Sequence, residues 1–305
     1  MTTNESFAKR RPVLSYYLLT FAISWGALLW IMISDGIPAT KEQMAAVLPV
    51  AIASMLLGPS LSGLLMTALV DGKAGFRELG SRLAAWRVRL GWYAIAILSA
   101  PLVLLAVLLG LALFSPAFLP GILTVDDKAA RLTMNLTAAV ALGICEELGW
   151  TGFVMPRLMQ RYTVVSTGLI MGVLWGAWHI VPMVILASGA YSAPQSPAVY
   201  IAARSLSMLV GSLVAFRVLM VWVYDHTRSL FLLMIMHMSL TAVNMLYEPE
   251  AISGTSLYIY DLVGLLAMWS VTLAVVRAAR GKLVALSPTA PAQSTAVAAR
   301  QPAPR

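Results

Sequence analysis

Charged residues are scarce in this chain of 305 residues: they make up 11% of it, against 60% hydrophobic residues. Soluble globular domains carry about 25% charged residues, so this composition excludes a surface that is mostly exposed to water. The mean hydropathy of +0.82 points the same way. Lipid must therefore be the solvent for much of the surface, and the sequence predicts one polytopic membrane domain.

Cysteine is nearly absent, and the zinc-binding His-Glu-x-x-His signature of metalloproteases is absent. The single cysteine, Cys145, excludes an internal disulfide. No His-Glu-x-x-His sequence occurs, which excludes a zincin-type protease. The net charge is +8, but the basic residues lie between apolar segments and form no basic domain. Nucleic acid is therefore not an expected partner.

Long apolar runs dominate instead and predict an all-α bundle of about eight transmembrane helices. The expected spans are about 14–34, 46–71, 91–116, 133–156, 164–188, 198–223, 229–247 and 257–277. The basic and apolar segment 72–90 predicts an amphipathic helix in the headgroup region. The expected organisation is a cytoplasmic segment 1–13, a membrane domain 14–280 with a catalytic core at about 133–247, and a disordered tail 281–305.

The distribution of basic residues orients these spans. With a cytoplasmic N-terminus, sixteen of the 21 Lys and Arg residues fall on the inner side and three on the outer side. Cytoplasmic loops of membrane proteins carry this excess of positive charge. The sequence therefore predicts eight spans with both termini in the cytoplasm.

Ionisable side chains inside apolar spans are costly, so they mark functional sites by default. The fourth span carries adjacent Glu146 and Glu147, the fifth carries His179 and the seventh carries His237. At a rise of about 1.5 Å per residue, Glu146 lies about 20 Å below the outer end of its span, and both histidines lie about 14 Å below theirs. These groups share one layer of the bilayer, which predicts a single buried site.

The two glutamates point about 100° apart on a helix, so one is expected to face the histidines and the other a neighbouring helix. A carboxylate in such a site is suited to take a proton from water and return it to a leaving amine. The histidines are suited to binding a metal, to positioning the water, or to donating to an oxyanion. The residues alone leave these alternatives open.

Two further features concern the helices around this site. Arg217, within two turns of the cytoplasmic end of the sixth span, is expected to snorkel to that surface, and Arg204 near the outer end is also expected to be structural. Pairing of either arginine with the glutamates is the minor alternative. Gly168, Gly172 and Gly176 recur every four residues and predict a small-residue face for close helix packing.

The polar segments, in this order, resemble the CPBP family of intramembrane peptidases, which includes the type II CAAX prenyl endopeptidases and many bacterial Abi-like proteins. The first family motif is a Glu-Glu pair followed four residues later by Arg; here Glu146 and Glu147 are followed by Thr151. The resemblance covers roughly residues 133–247. It implies a CPBP-type intramembrane endopeptidase in the bacterial plasma membrane. Whether a metal takes part is left open.

The second family motif, an aromatic residue four before His, is matched by Trp175 and His179, and the third, His followed four later by Asn, by His237 and Thr241. The resemblance implies that the first glutamate and His179 activate water, and that His237 and Thr241 stabilise the oxyanion. Asn244, seven residues after His237, is an alternative amide donor.

Cofactor use stays open: one divalent metal such as zinc is a possibility, with Glu146, His179 and His237 as candidate ligands. Thr151 in place of Arg means that a charge partner for the glutamates is missing or comes from elsewhere. Thr241 in place of Asn removes an amide, and one lost oxyanion donor costs about 10²–10³ in rate. The departures therefore predict an altered substrate preference or a weakened enzyme.

Two other functions compete with the peptidase. One is a non-catalytic family member acting as an immunity, scaffold or sorting factor. The other is a proton-coupled transporter, which the lack of an internal repeat disfavours. The expected partners are the lipid bilayer and a membrane-associated protein or peptide substrate; the sequence identifies neither that substrate nor the oligomeric state.

Overall fold

The structure is a computed structural model that describes residues 6–34, 36, 41–187, 197–250 and 252–283. Of these residues 87% are helical and none lies in a strand, which confirms the all-α prediction. A 3-10 turn lies at Pro116–Phe118 and a π-helical turn at Trp150–Val154. The described α-helices are α1 Phe7–Arg10, α2 Pro12–Ser34, α3 Lys41–Val70, α4 Gly72–Leu83, α5 Leu90–Ala112, α6 Gly121–Thr124, α7 Lys128–Gly149, α8 Met155–Met159, α9 Val164–Trp178, α10 Ile180–Ala187, α11 Pro197–Val210, α12 Ser212–Thr227, α13 Leu230–Tyr247 and α14 Thr255–Leu283.

Among the described residues, eight segments are long and apolar enough to cross a membrane, as the sequence predicts. They are Pro12–Ser34, Ala45–Val70, Leu90–Ala112, Lys128–Met159, Val164–Val184, Ala198–Thr227, Leu230–Tyr247 and Thr255–Ala279. Large apolar side chains cover their outer surface; Leu90 and Ile33, for example, are more than 80% exposed. Such a surface requires a lipid environment, so the protein is an integral membrane protein.

Several predicted boundaries differ from the observed ones. The third span ends at Ala112 instead of 116, and the fourth begins five residues earlier, at Lys128. The fifth span breaks at His179, where α9 ends and α10 begins, and the sixth breaks at Gly211 between α11 and α12. Predicted position 188 lies outside the described residues. So do residues 284–305, most of the proposed tail, while α14 continues to Leu283, past the proposed domain boundary.

Close backbone approaches hold the central helices together. A Cβ atom on Gly63 of α3 would lie 2.7 Å from the Cα atom of Gly149 at the end of α7. On α9, a Cβ atom on Gly172 would lie 2.8 Å from the Cα atom of Val214 on α12. The predicted small-residue face on this span therefore exists: Gly168 and Gly172 lie against α12, and Gly176 lies against Met208 of α11. These contacts hold α3 against α7 and α9 against α12.

The amphipathic helix predicted after the second span is α4, and it is tied to the π-helical turn. Arg82 Nη2 donates to the carbonyl of Gly152 at 2.9 Å, and its Nη1 donates to Tyr224 Oη at 3.2 Å. Leu79 is buried on the same helix, whereas Phe76 is exposed. A helix with basic and exposed apolar side chains suits the headgroup layer. The hydrogen bond from Arg82 to Gly152 ties this helix to the π-helical turn that follows α7.

Candidate active site

Glu147 lies at the centre of a fully buried polar cluster near the end of α7. Its Oε1 accepts a hydrogen bond from His237 Nδ1 of α13 at 2.7 Å. Its Oε2 accepts from Thr151 Oγ1 in the π-helical turn and, at 3.0 Å, from Arg217 Nη1 of α12. The Glu147 and Arg217 side chains are both 0% exposed. Each carboxylate oxygen therefore has protein donors, and Glu147 is a fixed anion that connects three parts of the bundle.

Glu146 faces a different neighbour, as the angle between adjacent helical residues requires. Trp175 Nε1 of α9 donates to Glu146 Oε2 at 2.8 Å, and Trp150 Nε1, one turn along, donates to the same oxygen at 3.3 Å. Both bonds end on Oε2, so Oε1 is the oxygen that these indoles do not engage. Glu146 is 2% exposed. Its carboxylate is buried and oriented, yet less occupied than that of Glu147.

His237 lies between the two glutamates. Its Nδ1 is bound to Glu147, and its Nε2 lies 3.9 Å from Glu146 Oε2. That distance is too long for a direct hydrogen bond, but a water molecule to one side of the pair can contact both atoms. Because Glu147 fixes the ring, Nε2 is the nitrogen that points towards Glu146.

His179 reaches the cluster through Trp175. It caps α9, and its Nδ1 donates to the carbonyl of Trp175 at 2.8 Å. Its ring packs edge-on against Trp175 and Trp178, with centroids 5.6 and 4.9 Å away. Trp175 contacts both predicted water-activating groups, Glu146 through its indole nitrogen and His179 through its carbonyl and its ring.

The expectation that Arg217 snorkels to the surface is wrong. The residue is fully buried, because α12 packs closely against the glycines of α9 and directs the guanidinium inward. The guanidinium carbon lies 4.2 Å from the ring centroid of Trp175, within range of a cation–π interaction. The minor sequence alternative, an arginine paired with the glutamates, is what the structure shows.

Arg204 pairs elsewhere. Its Nη1 lies 2.7 and 2.8 Å from the two carboxylate oxygens of Asp261 on α14. Both side chains are about one-fifth exposed. This ion pair joins α11 to α14 and does not include the glutamates, so the expected structural role of Arg204 agrees with its placement.

The remaining predicted residues differ in placement. Thr151 is fully buried and bound to Glu147. Thr241 lies one turn after His237 on α13 and is half-buried. Asn244 is exposed, and its Nδ2 donates to the carbonyl of Leu240 at 2.9 Å, within its own helix. The amide of Asn244 is therefore not directed at the glutamates in this arrangement.

The site contains candidate ligands for a divalent metal. Both Nδ1 atoms are anchored, His237 by a carboxylate and His179 by a carbonyl, which is how metal-binding histidines are often oriented. However, no three His, Cys, Asp or Glu side chains among the described residues lie close enough together to hold one ion. A zinc site needs at least three protein ligands. Glu146, His179 and His237 as placed do not fit that requirement.

The local sequence explains how α7 presents both glutamates. Gly149 allows α7 to approach Pro59 and Tyr16, because a Cβ atom there would overlap their oxygen atoms. The helix then widens into the π-helical turn Trp150–Val154. Such turns are frequent at functional sites because the extra residue redirects neighbouring side chains. Trp150 and Thr151 thereby contact Glu146 and Glu147 respectively.

Fold and site together define a polytopic helical membrane protein with a buried cluster of two glutamates, two histidines and an arginine. Residues 128–243 match the family model for the type II CAAX prenyl endopeptidase, Rce1-like, so this segment is a domain of that family. The match includes every cluster residue named above and confirms the resemblance. The family is one of intramembrane endopeptidases. Comparison with curated proteins finds no match.

Proposed function

We propose that this protein hydrolyses a peptide bond in a membrane-associated protein or peptide, using a water molecule activated by Glu146. The observation that supports this most directly is the 3.9 Å separation between Glu146 Oε2 and His237 Nε2. A water molecule to one side of this pair, about 2.8 Å from each atom, would contact both a carboxylate base and an imidazole in a site enclosed by protein. The family match supports the reaction class.

In the proposed reaction Glu146 takes one proton from the water, and the hydroxide attacks the carbonyl carbon of the scissile bond. The carbonyl oxygen becomes an oxyanion in the tetrahedral intermediate. Glu146 then returns its proton to the amide nitrogen, the C–N bond breaks, and an amine and a carboxylic acid leave. This use of one carboxylate as base and then acid is general acid–base catalysis.

The two glutamates have different tasks in this proposal. Glu147 carries no substrate proton, because its oxygens are already bound to His237, Thr151 and Arg217. It keeps the His237 ring oriented, with Nε2 towards the water. When the ring carries both protons, Nε2 donates to the water oxygen or to the developing oxyanion.

His237, whose Nε2 lies 3.9 Å from Glu146 Oε2, is the proposed closer partner of the water. His179 keeps a place in the proposal as a second group at the reacting bond, because Trp175 holds it beside Glu146. Thr241, one turn beyond His237, is the proposed hydroxyl donor to the oxyanion. Every step of this proposal uses only protein groups and water.

The test is turnover of a fluorogenic peptide panel by purified protein in detergent or nanodiscs. We expect Glu146→Gln to lower kcat by about 10²–10⁴-fold, the usual contribution of a general base. Glu78→Gln is the matched control, since Glu78 lies on α4 with a side chain 66% exposed. Equal turnover by wild type and Glu146→Gln would remove the proposed role. If a cellular phenotype also survives Glu146→Gln, the protein is a non-catalytic scaffold, sorting or immunity factor.

A further inference from the structure

Arg217 is a charge buried deep in the bundle, and few groups compensate it. Its Nη1 lies 3.0 Å from both oxygens of Glu147. Its Nε and Nη2 have no hydrogen-bond partner in the part of the chain that the structure describes. Burying an arginine at this depth is costly unless it is paired. The pairing with Glu147 is therefore the main electrostatic reason for its position.

The same guanidinium also touches the residue that holds Glu146. It stacks 4.2 Å from the ring centroid of Trp175, and the indole nitrogen of Trp175 donates to Glu146. Arg217 thus contacts Glu147 directly and Glu146 through one side chain. A shift of this guanidinium would move both carboxylates relative to His237.

The geometry points to Arg217 as a positioning residue that sets the relative placement of the two glutamates. It supplies from α12 the positive charge that the family pattern carries on α7 at position 151. Thr151 and Arg217 both donate to Glu147 Oε2, so the two positions converge on one oxygen atom. This inference rests on the proposed peptidase function and adds a residue outside the family's three motifs.

The packing of α9 on α12 makes this relocation possible. A Cβ atom on Gly168 would lie 2.5 Å from the Cα atom of Val218, the neighbour of Arg217, and Gly172 approaches Val214 similarly. Without side chains at these glycines, the α12 backbone comes close enough for Arg217 to reach over Trp175 to Glu147. The Thr151 side chain is smaller than the arginine of the family pattern, so it leaves space beside Glu147 for the guanidinium of Arg217.

The experiment compares Arg217→Met with a double variant that carries both Thr151→Arg and Arg217→Met. It measures kcat and KM separately for each. We expect Arg217→Met to lower kcat by about 100-fold with little change in KM, since small misplacements of catalytic groups cost rate at this scale. The double variant returns a guanidinium to Glu147 from α7. We expect it to recover kcat by at least about tenfold over Arg217→Met.

Arg204→Met is the matched control, because it also breaks an ion pair inside the spans but one that does not touch the glutamates. It is expected to lower the unfolding temperature while kcat stays within about threefold of wild type. Arg217→Lys keeps the charge but not the planar guanidinium, and we expect it to fold and to lose about tenfold in kcat. If Arg217→Met cannot be purified folded, Arg217→Lys and the double variant carry the test.

Two results would overturn the inference. The first is wild-type kcat in a folded Arg217→Met or Arg217→Lys protein. The second is a folded double variant that is no more active than Arg217→Met or, where Arg217→Met is not folded, no more active than Arg217→Lys. Its failure differs from failure of the proposed function. If Glu146→Gln abolishes turnover while Arg217→Met does not, only the positioning role is lost. If Glu146→Gln retains turnover, the peptidase mechanism itself fails.

Discussion

The indole nitrogen of Trp175 lies 2.8 Å from Glu146 Oε2, and the carbonyl of the same residue accepts a hydrogen bond from His179. One side chain and its own backbone therefore connect the glutamate of α7 to the histidine that ends α9. Arg217 covers the face of that indole. The aromatic residue of the second motif is thus a structural link between the catalytic candidates, in addition to packing.

We expect Trp175→Phe to lower kcat by about tenfold, because Glu146 loses a hydrogen bond to a charged group worth about 1.5–3 kcal/mol. Trp178→Phe is the control of equal size change. Trp178 is also buried, but its Nε1 has no hydrogen-bond partner among the described residues. Steady-state kinetics of both variants give the two values of kcat to be compared. An equal loss of kcat in the two would assign the effect to packing alone.

His237→Asn distinguishes the roles of the two ring nitrogens of His237. An Asn amide is expected to reproduce the bond from Nδ1 to Glu147 but leaves nothing at the position of Nε2. We expect the variant to keep its unfolding temperature within a few degrees and to lose about 10²–10³ in kcat. His179→Asn is the comparison. A larger loss there than at His237 would show that His179 is the closer partner of the water.

Chelation tests the metal question directly. Because the described donors do not assemble three ligands, we expect purified protein to retain turnover after dialysis against a strong chelator. Metal content by elemental analysis is measured on the same samples. Loss of activity that one added divalent ion restores would show that the donors rearrange into a metal site when the ion binds.

Gly63→Ala is expected to destabilise the protein by about 1–3 kcal/mol, because the new methyl group has no space between two backbones. Its Cβ atom would lie 2.7 Å from the Cα atom of Gly149. Gly110→Ala on α5 is the control, since a Cβ atom there meets nothing within 4 Å. Thermal unfolding in detergent compares them. Equal unfolding temperatures would mean that α3 and α7 do not need this contact.

The proposed orientation, with both termini in the cytoplasm, follows from the sixteen basic residues on one side of the spans. Reporter fusions at each terminus test it: a fluorescent protein that matures only in the cytoplasm should be active at both ends. A reporter active only outside the cytoplasm is expected to stay silent. Opposite results at the two ends would require an odd number of spans.

Composition and hydropathy alone determined the class of this protein, its eight spans and the glutamates and histidines of the candidate site. These properties depend on local composition, because an apolar run of about 20 residues crosses a bilayer whatever its neighbours are. Glu146, Glu147, His179 and His237 could be selected for the same reason, since each is costly in lipid wherever it points.

Which of these groups touch was decided only by the tertiary structure. Arg217 looked like a snorkelling residue because its distance from a span end was all that the sequence offered. Its actual direction depends on the glycines of another helix, and nothing in its own segment records that contact. Likewise, the placement of His237 between the glutamates and of Asn244 away from them follows from how α7 and α13 pack, because helical rotation about a long axis is fixed by neighbours and not by sequence spacing.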